Sequence, residues 1–215
     1  ESEVAASDER ISCTKGCGAC CRQLVPVSMP EIRALRALVA AMPEPRRSAV
    51  QARFAEAMLR ARDSGWLARA GEILKGAPMG LDAIALGIEY FHLGIACPFL
   101  EDESCSIYAD RPTVCREFLV LSPAANCRDP CPETIRRVKL YGNVSRALRT
   151  LGHDRNGRRW LPLTFALHWQ DDAADPERTM AGTEWAAALL REVTGKDLPA
   201  AQGPGMADDV NAGST

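Results

Sequence analysis

No apolar run in this 215-residue chain approaches the roughly 20 residues that cross a bilayer, which argues against a membrane partner or span. Long Lys/Arg runs are absent too, and the formal net charge is only −2, so there is no electrostatic case for nucleic acid or an anionic lipid surface. No internal repeat, Walker loop, dinucleotide fingerprint or Ser/His/Asp set occurs, which removes the usual nucleotide-binding and hydrolytic readings. Histidine is scarce. His92, His153 and His168 lie one to a segment, the pattern of packed or solvent-facing residues more than of metal ligands. No signal-peptide pattern is visible, and the expected setting is reducing and cytoplasmic.

What the chain has in excess is cysteine, and all nine copies fall in two runs. Cys13, Cys17, Cys20 and Cys21 share nine residues, and Cys97, Cys105, Cys115, Cys127 and Cys131 form the second run. A single buried cysteine would read as a small hydrophobe. Two clusters read instead as a metal or iron–sulfur site, because thiolates are strong soft ligands and closely spaced ones chelate with little loop-closure cost. A disulfide framework fits less well. The number is odd, the chain is long enough to fold without staples, and adjacent Cys20 and Cys21 bridge only through a strained ring. Thiol redox chemistry stays open beside metal ligation.

With 47% hydrophobic and 25% charged residues, the chain can bury a core as a single domain or a domain with an insertion. Residues 1–10 read as a loose arm and 196–215 as a flexible tail. The 13–21 run reads as a loop in which Gly16 and Gly18 permit tight wrapping. Ser28 and Glu31 form a capping box with Pro30 in the first turn, opening a helix whose stripe is Ile32, Leu35, Leu38 and Val39. A second helix is expected over 46–64 with Val50, Phe54, Ala57, Met58 and Ala61 on one face. A shorter helix follows from Trp66, with a break at 76–78, and then a helix buried through Leu81, Ile84, Ala85, Ile88 and Phe91. This helical insertion, 22–96, must loop out and return if the two cysteine runs share one site. The 101–103 acidic run reads as a solvated turn. A long helix is expected over 133–151 with Ile135, Val138, Tyr141, Val144 and Leu148 inward. The apolar 160–169 segment reads as a short helix or strand, preceded by a basic turn at 155–159. The last expected helix follows Pro176 and turns Met180, Trp185, Ala188, Leu189 and Val193 inward.

The motifs C-x3-C-x2-C-C at 13–21, C-P-x-L at 97–100, C-x-I-Y at 105–108 and R-P-x-x-C-R at 111–116 come in one order. In that order they resemble the YkgJ-type cysteine-cluster proteins, whose domain is described as zinc- or iron-chelating. The same domain is similar to the cluster region of flagellin lysine N-methylases. The resemblance covers 13–21 and 97–131. It implies ligands at Cys13, Cys17, Cys20, Cys21, Cys97, Cys105 and Cys115, with one more from Cys127 or Cys131. Flanked by Pro130 and Pro132, Cys131 would then sit near the N-terminus of the helix expected at Glu133, where a thiolate is favoured.

Eight or nine thiols exceed what one tetrahedral zinc or one cubane cluster takes, and the adjacent Cys20 and Cys21 can serve different metals in one pocket. Iron–sulfur and zinc are nearly level as the cofactor, with iron–sulfur slightly ahead. Arg111 and Arg116 flank Cys115, where they could bind the cofactor by neutralising an anionic site or donating to sulfur, or else be surface charge. The expectation is therefore a mainly α, single helical domain in which two cysteine-rich loops converge on a metal centre. Its expected function is cysteine-ligated metal binding, with a metal ion or cluster as partner. The alternatives are a cluster-dependent enzyme, either lysine N-methylase-like or redox, and a protein-interaction module with a structural zinc and a protein partner.

Overall fold

Ser28 opens the first helix by reciprocal capping. Its backbone N–H and its hydroxyl both donate to Glu31 Oε2, at 3.4 and 2.7 Å, and Pro30 sits in the first turn, where a missing N–H loses no bond. The computed structural model describes residues 10–71, 81–129, 131, 133–153, 158–168 and 181–196, and its regular structure is mainly α-helical. The expected arm and tail lie outside the described residues except at Arg10 and Lys196. The expected break at 76–78, the tip of the basic turn at 155–157, Trp169 and Met180 lie outside them as well.

Strand β1 (Pro26–Ser28) leads into helix α1 (Met29–Ala40), which buries Ile32, Leu35 and Val39. Helix α2 (Arg46–Asp63) follows the proline break and buries Val50, Phe54, Ala57 and Ala61. The single turn α3 (Trp66–Arg69) and helix α4 (Leu81–His92) also lie between the cysteine runs. Phe54 meets Phe99 edge-on at 5.4 Å, and Trp66 meets Tyr90 at 5.1 Å, all four side chains being fully buried. Each such side chain stabilises the fold by roughly 1.5–3 kcal/mol through burial.

Helix α4 turns a different face inward from the one its isoleucines suggest. Ile84 and Ile88 are exposed at 56% and 38%, whereas Ala83 and Tyr90 are buried. The reason is polar satisfaction. Tyr90 Oη lies 2.8 Å from Thr164 Oγ1, and Trp66 Nε1 donates to the Leu86 carbonyl at 2.9 Å, so two large aromatics are buried with their polar tips paired.

The acidic run after Leu100 is more than a solvated turn. Strands β2 (Leu100–Glu101) and β3 (Ser104–Cys105) pair antiparallel, and Asp102 and Glu103 turn the hairpin with φ of 47° and 55°. Glu101 pairs with Arg53 at 2.6 Å and Glu103 with Arg22 at 2.5 Å, which fastens the hairpin both to α2 and to the first cysteine run. The short helix α5 (Thr113–Glu117) then carries Cys115.

The helix expected over 133–151 exists only in its last part, as α6 (Val144–Leu151). Upstream, the backbone is used as a strand-like partner instead. Leu121 N–H donates to the Arg136 carbonyl at 2.8 Å, Val138 N–H donates to the Leu119 carbonyl at 2.9 Å, and Val120 bridges Arg137. Tyr141, expected inward, is 79% exposed. Asn143 starts α6 by accepting the Arg146 N–H at 2.7 Å. Strand β4 (Trp160–Pro162) pairs antiparallel with β1, Val27 opposite Leu161, and passes straight into a 3-10 turn at Leu163–Phe165, so the 160–169 segment is strand first and helical turn second. Helix α7 (Gly182–Thr194) packs on α6 with Trp185, Ala188, Leu189 and Val193 half-buried.

Candidate metal centre

The first cysteine run is a turn followed by a 3-10 helix, Ala19–Arg22, and glycine is needed at two points in it. Gly16 has φ of +92°, a conformation that side chains disfavour. At Gly18 the constraint is proximity: a β-carbon there would meet Glu103 Oε2 and Leu100 Cδ1 at 2.7 Å and the Glu103 carbonyl at 3.1 Å. The loop therefore lies directly on the β2–β3 hairpin that carries Cys105. Arg22 locks this arrangement by donating to the Gly18 carbonyl and to Glu103, both at 3.1 Å.

From there the chain's two runs meet. Cys97 N–H donates to the Cys21 carbonyl at 2.7 Å, and Val120 N–H donates to Cys13 Sγ at 3.4 Å. Cys13, Cys17, Cys20, Cys21, Cys97, Cys105, Cys115 and Cys127 all line one cavity of about 380 Å³. All nine cysteines are free thiols. Among the described residues, no three Cys, His, Asp or Glu side chains stand close enough together to hold one metal ion as they are, so the thiols ring the cavity instead of meeting at a point.

Cys131 is outside this lining. Its thiol donates to Glu133 Oε2 at 2.6 Å, and that bond holds its pKa above the ordinary thiol value. No helix starts at Glu133, so the N-terminal field expected to favour a thiolate there is missing. Of the Cys127/Cys131 pair, it is Cys127 that faces the cavity. None of the three histidines lines it either, and His168 Nε2 is spent on the Phe54 carbonyl at 3.1 Å.

The thiols sit in a partly dehydrated place. Burial pushes Cys97 up to about 12 and Cys127 up to about 11, and it raises Cys13, Cys105 and Cys115 as well. Cys20 is the exception: the thiol of its neighbour Cys21 hydrogen-bonds to it and brings it down to about 7, while Cys21 is raised in turn. Arg111 is the cation whose field reaches Cys13, Cys20, Cys105 and Cys115, and its guanidinium lies 3.7 Å over the Tyr108 ring. Arg116 points its donors elsewhere, to the Arg111 carbonyl at 2.8 Å and to the Ala109 carbonyl, and so shapes the loop that presents Arg111. Phe118 lines the cavity beside Cys13, Cys17 and Cys127.

The lining also holds groups that the sequence motifs did not point to. Gln23, two residues beyond Cys21, has its Nε2 buried with no hydrogen-bond partner among the described residues. Arg149 reaches the same cavity from α6, half-buried, and donates at 3.3 Å to Ser145 Oγ and at 3.4 Å to the Pro26 carbonyl; burial lowers its pKa. Proximity to the cysteine run was a signal for Gln23. Arg149 had none, because its place depends on how α6 packs against β1.

A helical scaffold that gathers eight thiols around one cavity is the build of a cysteine-cluster protein. A family model described as CxxCxxCC, putative zinc- or iron-chelating domain, matches residues 12–132, and the chain belongs to this family. No curated protein and no solved structure matches the chain.

Proposed function

We propose that the protein holds an iron–sulfur cluster, or zinc as the nearest alternative, on the thiolates of Cys13, Cys17, Cys20, Cys21, Cys97, Cys105, Cys115 and Cys127. The observation that carries this reading is the shared lining: cysteines from two runs separated by residues 22–96 return to one cavity. The donor set fits such a group. It is all sulfur, it is partly shielded from water, and Arg111 sets a positive charge among the thiols. A cavity of about 380 Å³ is also far larger than the ~30 Å³ share of a single water, and so has room for more than one ion. A bound cluster would supply electron transfer or a Lewis-acidic iron. Zinc would supply folding free energy and Lewis acidity alone.

Because most of these thiols are protonated at neutral pH, loading must release protons and draw the sulfurs inward. A cytoplasmic, reducing setting suits nine free thiols. The test is anaerobic purification with iron, zinc and acid-labile sulfide analysis. A brown sample with iron and sulfide is expected. A colourless, air-stable sample with zinc and no sulfide rejects iron–sulfur in favour of zinc. Substoichiometric metal with nine freely titratable thiols rejects metal ligation altogether.

A second reading, a cluster-dependent enzyme, is favoured by polar groups that line the cavity besides the cysteines. Gln23 Nε2, unpartnered among the described residues, and the Arg149 guanidinium offer donors to a small ligand in the cavity. A change in the visible spectrum of the loaded protein when small carboxylates are added, lost in Arg149→Gln, is the expected sign of such a ligand. An unchanged spectrum sinks this reading.

A further inference from the structure

The geometry points to two separate four-thiolate centres in the one cavity, divided at the Cys20–Cys21 peptide bond. Cys13, Cys17, Cys20 and Cys127 would hold one metal or cluster, and Cys21, Cys97, Cys105 and Cys115 the other. This rests on the cysteine-ligated reading above and deepens it, since that reading needs thiolate ligation but leaves open how many centres there are.

Packing separates the two sets. Cys127 is buried against Ala19 and Val120, and Cys13 and Cys17 pack onto that same small group. Cys97, Cys105 and Cys115 pack instead against the main core that contains Phe54 and Phe99. Backbone bonds agree with this division. Cys13 is tied through its sulfur to Val120, whereas Cys21 is tied through its carbonyl to Cys97, and Leu100, opposite Cys105 in the hairpin, donates to the Cys97 carbonyl at 2.9 Å. Cys20 adjoins Cys21 in the chain and lines the same cavity. Once Cys21 completes the second set, Cys20 is the remaining thiol for the first.

Four is also the number that chemistry asks for. A tetrahedral zinc and a cubane cluster each take four thiolates, so eight thiols fill two centres, whereas a single centre would leave four bystander thiols. Charge balance agrees. Four thiolates on one zinc leave a dianion, and the described lining residues Lys15, Arg111, Arg137 and Arg149, less Glu117, set a net +3 against the −4 of two dianions and offset most of it. Neither cysteine run completes a centre by itself. The first run gives three thiols to one centre and one to the other, and the second run gives the complement.

Anaerobic titration of the reduced, metal-free chain with cobalt(II) alone reads this directly. Two equivalents are expected, with thiolate charge-transfer and tetrahedral ligand-field bands. Cys127→Ser, Cys20→Ser, Cys21→Ser and Cys115→Ser should each lose one equivalent and keep the other, while Cys131→Ser keeps both. Native mass spectrometry of the unmutated chain counts the centres without any variant. One equivalent in the unmutated chain overturns the proposal and leaves ligation intact, as does loss of both equivalents from a folded Cys20→Ser protein, which would mark a sulfur-bridged single centre. No thiolate-bound cobalt at all overturns the ligation reading itself.

Discussion

Replacing Gly18 with alanine tests whether the first cysteine run lies on the β2–β3 hairpin as closely as the geometry requires. The backbone at Gly18 has φ of −92° and ψ of 8°, which alanine adopts without difficulty, so any penalty must be steric. The new methyl would meet Leu100 Cδ1 and Glu103 Oε2 at 2.7 Å and the Glu103 carbonyl at 3.1 Å. Two of these atoms are ends of side chains and can rotate, but moving Glu103 disturbs its pair with Arg22, and the carbonyl belongs to the hairpin itself. Overpacking of this kind costs about 1–3 kcal/mol. The lower entropy of an unfolded alanine returns about 0.4–1 kcal/mol. The net loss should therefore be on the order of 1–2 kcal/mol, a fall in Tm of about 2–8 °C for a chain of this size. Thermal unfolding followed by circular dichroism measures it, and cobalt titration shows whether Cys105 is still presented. Gly87→Ala is the control, because that glycine lies within α4 and a β-carbon there meets nothing within 4 Å; it should be neutral or stabilising by up to about 1 kcal/mol. If Gly18→Ala matches Gly87→Ala, the close approach of loop and hairpin is wrong.

Three further outcomes follow from individual contacts. Asn143→Ala removes the side chain that accepts the Arg146 N–H, and should lower stability by about 1 kcal/mol in urea unfolding, with Asn143→Asp restoring most of it; an alanine variant as stable as the parent refutes the cap. Phe54→Ala empties a fully buried site against Phe99 and should cost about 3–5 kcal/mol, read as a large drop in the urea midpoint, and a loss below 1 kcal/mol would mean that the core is not centred there. In metal-free protein, burial holds Cys97 at about 12 while the unfolded chain ionises near the ordinary thiol value, so the unfolded state sheds its proton first. The contribution of this thiol should be flat below about pH 8.5 and fall above it, by at most about 1.4 kcal/mol per pH unit, so that the difference in stability between the parent and Cys97→Ala shrinks as pH rises above 8.5; a difference that grows with pH would reverse the sign and refute the assignment.

The sequence by itself determined the starts and stripes of α1 and α2. The capping signal at Ser28 and Glu31 is local, and the spacing of Ile32, Leu35 and Val39, then of Val50, Phe54, Ala57 and Ala61, is a property of the helix alone. The motif order around the cysteines likewise carried the family, because ligand spacing is written into adjacent residues. Tertiary structure decided the rest. Residues 135–138 have helical periodicity, yet their backbone groups are taken by 119–121, a partner more than a dozen residues away that periodicity does not see. Helix α4 turned toward Tyr90 instead of its isoleucines because Thr164, far along the chain, satisfies the tyrosine hydroxyl. Cys127 and Cys131 are equivalent in sequence, and only the fold puts one sulfur in the cavity and the other on Glu133. Local preferences fix elements; which polar groups find partners across the fold fixes the faces those elements turn inward, and with them the site.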